Sequence, residues 1–338
     1  MPTSNFADLI SNLSLIWIAG AITLATALRL ALVRLPSSAV RMVADFLESG
    51  ILMVGLFFLV IRPFLIQVFF IPSPSMEPTL LGQHGAGDKV VVDKLGARLH
   101  PPQRDDVTVF IAPPAALEGS PEAASGAPVD FVKRLIGVPG DRIEAHAGRV
   151  YIDGAPYSHR DLRGRFLQAG LFGQGAIQEA AADPENYDPQ ADYHVRFTDT
   201  AVTINGKAVP NEKIAQAVTG MPHSTVKIVP GYTIRNGVRL DEPFTAEDPD
   251  YDLKICGGKS LKADNGRYRL NGQSISQDDY AAFSKTAASA VPKNTYFMMG
   301  DNRNDSRDST EWGPLDGNSI VGKVKWIFWP IGRFGSLN

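Results

Sequence analysis

At 338 residues the chain is long enough for more than one structural unit, and a hydrophobic share of 44% excludes a disordered polymer. A net charge of −3, a pI near 6.1 and the lack of any dense Lys/Arg run remove the electrostatic footing for a nucleic-acid partner. The single cysteine, Cys256, cannot close an internal disulfide and reports no redox compartment; with no histidine near it, it reads as a packed or bystander residue rather than a nucleophile.

In chain order, Leu13 to Leu28 carries no charge and the apolar character resumes from Leu30 to Val33, which predicts a first membrane span over about 13–33. A second is predicted over about 50–71, where Ile51 to Ile71 is interrupted only by Arg62, Pro63 and Gln67. The competing reading of either segment is a buried helix of a soluble protein. A cleaved secretory signal fits poorly, because Met1 to Asn12 holds Asp8 and no Lys or Arg. Arg29, Arg34 and Arg41 between the spans predict a cytoplasmic loop, which leaves residues 72–338 extracytoplasmic and tethered at their N-terminal end.

Beyond Leu80 the pattern turns to short β-rich runs: Val90–Val92, Val107–Ile111, Val132–Val138 and Ile143 onward. Asp153-Gly154, Asn205-Gly206 and Asn271-Gly272, each after an apolar run, predict tight hairpin turns whose central positions need positive φ. Ala112 to Pro128 reads as an exposed flexible loop. The more polar stretch 158–290 predicts an inserted cap subdomain. Its acidic patches, Glu179–Asp192 and Glu242–Asp252, read as solvated surface rather than a calcium site, since no ordered ligand loop is visible.

A serine hydroxyl attacks only when something removes its proton. The six histidines (His84, His100, His146, His159, His194, His223) lie in polar, loop-like stretches without catalytic or metal-ligand spacing, and read as surface residues. The alternative base is a lysine kept neutral by burial. Lys133 is the candidate. Strand alternation places it on one face with Leu135, and Arg134 on the other with Val132 and Ile136, so one adjacent cation enters apolar surroundings or both lie at an edge.

Ser73-Pro74-Ser75-Met76-Glu77-Pro78-Thr79-Leu80, Gly87 to Val92, Lys133 to Asp141 and Gly300 to Ser309 resemble, in that order, the motif boxes of type I signal peptidases, and the two preceding spans resemble the bacterial leader peptidase arrangement. The resemblance implies a mainly β fold: two N-terminal transmembrane helices (1–71), then a catalytic core of residues 72–157 and 291–338 interrupted by the β-rich cap at 158–290. It implies a serine endopeptidase with Ser75 as nucleophile, Lys133 as general base, Ser306 orienting the lysine, and Ser73 joining the Ser75 N–H as the oxyanion hole. Asp301, Arg303 and Asp308 would support the site, with no metal and no organic cofactor.

The implied partners are exported preproteins cut after small residues in an A-x-A-like pattern, the lipid bilayer, and the export machinery nearby; no nucleic acid is expected. The implied location is the bacterial inner membrane, multi-pass, with the catalytic domain on the periplasmic side. Pro72, Pro74 and Pro78 would end the membrane helix and present Ser75 near the bilayer. Of Trp326, Phe328, Trp329 and Phe334, at least two are expected to be buried strand residues, the others resting in the interface.

Two positions depart from the family. Pro74 stands where Gly is usual, and Thr310 where an Arg usually pairs with the aspartate matched by Asp308, so Arg303 or Arg307 is expected to compensate. Two rival readings carry the same fold: a processing peptidase with a narrow client list, such as conjugation or pilus subunits, and an inactive membrane-anchored binding module. A penicillin-binding type acyl enzyme would need Ser-x-x-Lys, and the residue three beyond Ser75 is Pro78.

Overall fold

The computed structural model describes residues 15–337 apart from 36, 83–86, 121–122, 125, 173–195, 198–200, 205 and 265. Leu13, Asn205, His84, His194 and the acidic patch Glu179–Asp192 therefore lie outside the described residues. The chain divides into two compact units, 1–70 with 89–101 and 322–338, and 71–88 with 102–321. It is mostly β. In chain order the strands begin with β1 (Ile66–Phe70), β2 (Lys89–Asp93), β3 (Val107–Ile111), β4 (Asp130–Gly137), β5 (Ile143–His146), β6 (Arg149–Ile152) and β7 (Ala155–Tyr157). They continue with β8 (Arg196–Phe197), β9 (Val202–Ile204), β10 (Lys207–Ala208), β11 (Val226–Val229), β12 (Tyr232–Arg235), β13 (Val238–Arg239) and β14 (Asp252–Cys256). The last are β15 (Lys259–Asp264), β16 (Arg267–Leu270), β17 (Gln273–Ser274), β18 (Thr295–Met299), β19 (Leu315–Asp316), β20 (Ile320–Trp329) and β21 (Gly335–Ser336).

In the first unit two helices, Leu15–Val33 and Ser38–Leu56, pack on each other, burying Ile18 and Ala44. Thr23 and Thr26 return their hydroxyls to the carbonyls of Ala19 and Ile22, so neither is left without a partner in an apolar setting. By length and composition one helix among the described residues can cross a membrane, Ser38–Leu59, with mean hydropathy 1.9; Trp17–Val33 is a shorter apolar helix.

The second expected span is thereby corrected. Its helix starts well before Ile51, continues as a π-helical segment over Phe57–Leu65, and stops at Ile66, which is extended. Ile66–Phe70 is strand β1, paired antiparallel with β2 from Ile66↔Asp93 to Phe70↔Lys89. The reason is in the residues: Ile-Gln-Val-Phe-Phe is β-branched and aromatic, and alternates exposed Ile66, Val68 and Phe70 with half-buried Gln67 and Phe69. Pro72, Pro74 and Pro78 thus follow a strand and do not end the helix. In the same unit β20 pairs with β2 and β21. Trp326, Trp329 and Phe334 are exposed and Phe328 is half-buried, against the expectation that at least two of the four are buried.

The second unit holds four sets of strands: β3-β4-β18-β19, the seven-stranded β13-β12-β5-β14-β15-β16-β17, and the small sheets β11-β6-β7 and β10-β9-β8. Both faces of β4 are covered. Leu135 joins a cluster with Phe110, Met298, Trp312 and Leu315, whereas Ile136 joins another with Ile143, Tyr251, Leu253, Phe297 and Met299. A third core, built on Val150, Ile152, Leu162, Phe166, Phe197 and Ile214, gives the described residues within 149–229 a lobe of their own. Asp153-Gly154 and Asn271-Gly272 adopt positive φ at both positions, as their hairpins require.

Three surface readings are corrected. Ala112 and Ala116 of the expected exposed loop are buried, packed under Phe110 and Trp312. Glu247 and Asp250 are buried, and Glu242 and Glu247 are tied up in ion pairs with Arg303 and Arg163, so this acidic stretch is interior rather than solvated. His159 is buried and stacked on Phe197 at 3.9 Å; burial, with the charges of Arg163 and Arg149, pushes its pKa well below the usual 6.5. Cys256 is packed in β14, its sulfur 3.8 Å from the Phe283 carbonyl.

Candidate active site

Ser75 sits in a single 3₁₀ turn, Pro74–Met76, which the fixed φ of Pro74 favours at its first position. Ser73 precedes it in extended conformation, and its Oγ lies 3.3 Å from Ser75 Oγ. Gly82 packs so closely against Ser73 that a Cβ there would come within 1.7 Å of the Ser73 carbonyl oxygen. Only glycine fits.

Because both faces of β4 are covered, both neighbouring cations are buried, and each is handled differently. Lys133 is 4% exposed; its Nζ is 2.6 Å from Ser75 Oγ and donates at 3.0 Å to the Val132 carbonyl. It has no carboxylate bonded to it among the described residues, and burial lowers its pKa from 10.5 to about 8, against the more distant charges of Asp308, Asp301 and Asp305 that favour the cation. Arg134 is instead paired: Nε and Nη2 donate to Asp301 at 2.8 and 2.6 Å, Nη1 donates to the Asp105 carbonyl at 2.8 Å, and the guanidinium lies 3.9 Å from the Phe244 ring centroid. Thr79 adds a 2.5 Å hydrogen bond to Asp301. This bidentate, fully bonded pair satisfies the conditions under which a buried ion pair is tolerated.

The loop after β18 surrounds Ser75 from the other side. Asn302 donates its backbone N–H to the Ser75 carbonyl at 3.2 Å and its side-chain amide to the Pro74 carbonyl at 3.3 Å. A Cβ on Gly300 would lie 2.3 Å from Ser306 Oγ and 2.4 Å from the Ser75 carbonyl oxygen, so Ser306 and the Ser75 backbone flank the same glycine. Ser306 Oγ is buried and makes no hydrogen bond among the described residues. Asp308 caps the short helix Ser309–Trp312 through the Thr310 N–H and accepts the Gly300 N–H at 2.8 Å.

Neither arginine expected to compensate for Thr310 is bonded to Asp308. Arg303 makes a bidentate pair with Glu242 and bonds Thr233 and the Gly300 carbonyl, and Arg307 reaches the Glu118 carbonyl. The cation beside Thr310 is Lys262 of β15, 3.4 Å from its hydroxyl and 2.8 Å from Glu311. Of the residues chosen from sequence, Ser73, Ser75 and Lys133 come together directly, Asp301 and Asp308 stand behind them, and Arg303 points away toward Glu242.

Sequence reasoning missed Thr79, Asn302 and Gly300 as supports, although all three lie within the recognised motifs. It also missed Lys262, Glu242 and Glu247, for which no local signal exists because their ion-pair partners are at least 49 residues away. No group of His, Cys, Asp and Glu suited to a metal occurs among the described residues.

Comparison with known proteins gives this geometry a family. The model described as "Signal peptidase, peptidase S26" matches residues 43–191 and 191–329. The chain is 38% identical over 277 residues to "Probable signal peptidase I-2" of Synechocystis, covering 82% of this chain and 69% of that one. It is 26% identical over 280 residues to "Signal peptidase I" of Aquifex aeolicus, covering 82% and 81%, and 22% identical over 294 residues to "Signal peptidase I" of Leptolyngbya laminosa, covering 86% and 84%. A match this long, falling on a chain whose Ser75 and Lys133 are in hydrogen-bond contact, places the protein in the signal peptidase family, peptidase S26, as a serine peptidase.

Proposed function

We propose that the protein is a membrane-bound endopeptidase that removes N-terminal signal peptides from exported preproteins, cutting after small residues in an A-x-A-like pattern, with Ser75 as nucleophile and Lys133 as general base. The observation that carries this is the 2.6 Å contact between Lys133 Nζ and Ser75 Oγ inside a site where burial holds the lysine near pKa 8. Neutral Nζ accepts the Ser75 proton as Oγ adds to the scissile carbonyl, forming a tetrahedral oxyanion. The Ser73 hydroxyl and the Ser75 backbone N–H then donate to that oxyanion, a role worth about 3 kcal/mol per donor in comparable sites. The Lys133 ammonium returns its proton to the departing amine, leaving an ester on Ser75. Nζ next takes a proton from water as its oxygen adds to the ester carbonyl, and gives that proton to Oγ as the C–Oγ bond breaks, which releases the carboxyl product and restores both groups. Ser306, whose buried hydroxyl beside Gly300 makes no hydrogen bond among the described residues, is the group assigned to orient the lysine as its charge changes.

Asp301, Arg303 and Asp308 hold the loop in shape, and residues 158–290 form the cap inserted between the two parts of the core. The helix Ser38–Leu59 anchors the chain in the bacterial inner membrane, with 72–338 on the periplasmic side beside the export machinery. The exposed Trp326, Trp329, Ile331 and Phe334 of the first unit meet the bilayer surface.

The test is cleavage of a detergent-solubilised preprotein bearing an A-x-A site by the parent, Ser75→Ala and Lys133→Met, with the new N-terminus sequenced. Cutting after the small residues, abolished by each substitution, is expected; cutting that survives Ser75→Ala would sink the dyad.

A further inference from the structure

Segment Asp241–Asp250 lies between two parts of the second unit. One side takes up the catalytic loop. Thr245 pairs with Pro78, the Ala246 N–H donates to the Asp301 carbonyl at 3.0 Å, and Glu242 holds Arg303. Asn304 donates at 2.7 Å to Glu247 Oε1 and at 2.8 Å to the Asp248 carbonyl, and accepts the Asp250 N–H at 2.9 Å. The other side is fixed to the lobe with its separate core. Arg163, on the helix His159–Gln168, forms an ion pair with Glu247; Arg149 donates to the Asp250 carbonyl at 2.8 Å, and Gly148 to the Pro249 carbonyl at 2.7 Å. Glu247 Oε1 is therefore shared by a donor from the lobe and a donor from the catalytic loop.

We propose that Glu247 is a positioning residue for peptide hydrolysis, fastening the loop 300–308 to the lobe 149–229 through Asn304 on one side and Arg163 on the other. The proposal rests on the Ser75/Lys133 reading. Asn304 stands two residues from Asn302, whose bonds hold the carbonyls of Pro74 and Ser75, and two from Ser306. Loss of the Glu247 carboxylate leaves Asn304 only its bonds to the backbone of Asp248 and Asp250 and loosens the loop at the point where displacement reaches Ser75 Oγ, and a displacement of about 1 Å costs on the order of 100-fold in rate. The lobe is then a working part of catalysis as well as a surface.

The test uses the full chain in detergent and the A-x-A preprotein. In the pair variant Arg163→Met/Glu247→Leu, apolar groups replace both charges and Asn304 loses its carboxylate acceptor while keeping the Asp248 carbonyl. Its kcat is expected to fall about tenfold or more while KM stays within about twofold, because ground-state binding is untouched. Glu247→Gln, which keeps an oxygen for Asn304, recovers part of that loss. Arg104→Met, which removes only the ion pair to Asp141, serves as control and keeps the parent rate. If the pair variant does not fold, Asn304→Ala is read by the same split. A pair variant, or Asn304→Ala, with parent kcat overturns the proposal whatever its melting temperature. Ser75→Ala run in parallel separates the failures: residual cutting there removes the dyad reading and this one with it, whereas loss there with an unaffected pair variant removes this one alone.

Discussion

The pH dependence of cleavage follows from how Lys133 is housed. An amine with pKa about 8 instead of 10.5 is about one-tenth neutral at pH 7, where an ordinary lysine would be neutral on the order of once in 3,000, a gain of about 300-fold in competent base. The rate of cleavage at low substrate should therefore rise about tenfold per pH unit below 7 and level off above about 8. The same shift has a stability counterpart. The folded pKa is below the unfolded one, so the unfolded chain binds more protons between about pH 8 and 10.5, and stability rises with pH across that window; below it, the buried cation costs about 3 kcal/mol. Asp305 is exposed and is the least of the three carboxylates that favour the cation, so Asp305→Asn should move the midpoint down, and less in high salt. The assay is initial-rate cleavage from pH 5.5 to 10 in constant ionic strength. A flat profile, or a midpoint near 10, would refute the reasoning, since either means that the group removing the Ser75 proton is not a desolvated lysine.

Other substitutions test the supports. Asp301→Ala leaves Arg134 buried without its carboxylate and should lower unfolding stability by about 3–5 kcal/mol in a denaturant titration, whereas Arg134→Met/Asp301→Leu should lose much less. Gly300→Ala places a Cβ 2.4 Å from the Ser75 carbonyl oxygen and should abolish cleavage, while Gly332→Ala, with open space around it, should leave the rate unchanged. Replacing Trp326, Trp329, Ile331 and Phe334 together by Ser should weaken sedimentation with lipid vesicles of a fragment beginning at Ile66, and leave its cutting of a short soluble peptide unaffected.

The β-rich character and two of the hairpin turns were legible because each is written locally, in alternation and in Asp-Gly or Asn-Gly, whereas the contact of Ser75 with Lys133, 58 residues apart, was legible only through the resemblance of the ordered motifs to a known family. The end of the anchor was not. Hydropathy scores Ile66–Phe70 like the helix before it, and only the competition for a partner strand, β2, decides otherwise. The fate of the two adjacent cations was posed by the sequence as an alternative, and the fold took neither branch: both enter, because both faces of β4 are covered. The acids at 242–250 resemble surface for the same reason that Arg163, Asn304 and Arg303 look ordinary. Their pairing spans 54 to 84 residues, and composition carries no record of it.

Strand β1 has a practical consequence. The chain passes from helix to sheet at Ile66 with no linker, so the place where hydropathy falls, near Pro72, is the wrong place to cut a soluble fragment. Trimming there would strip β2 of the neighbour that bonds it from Asp93 to Lys89, and expose a bare row of backbone donors and acceptors to any other extended chain in solution. A fragment that begins at Ile66 keeps that edge closed.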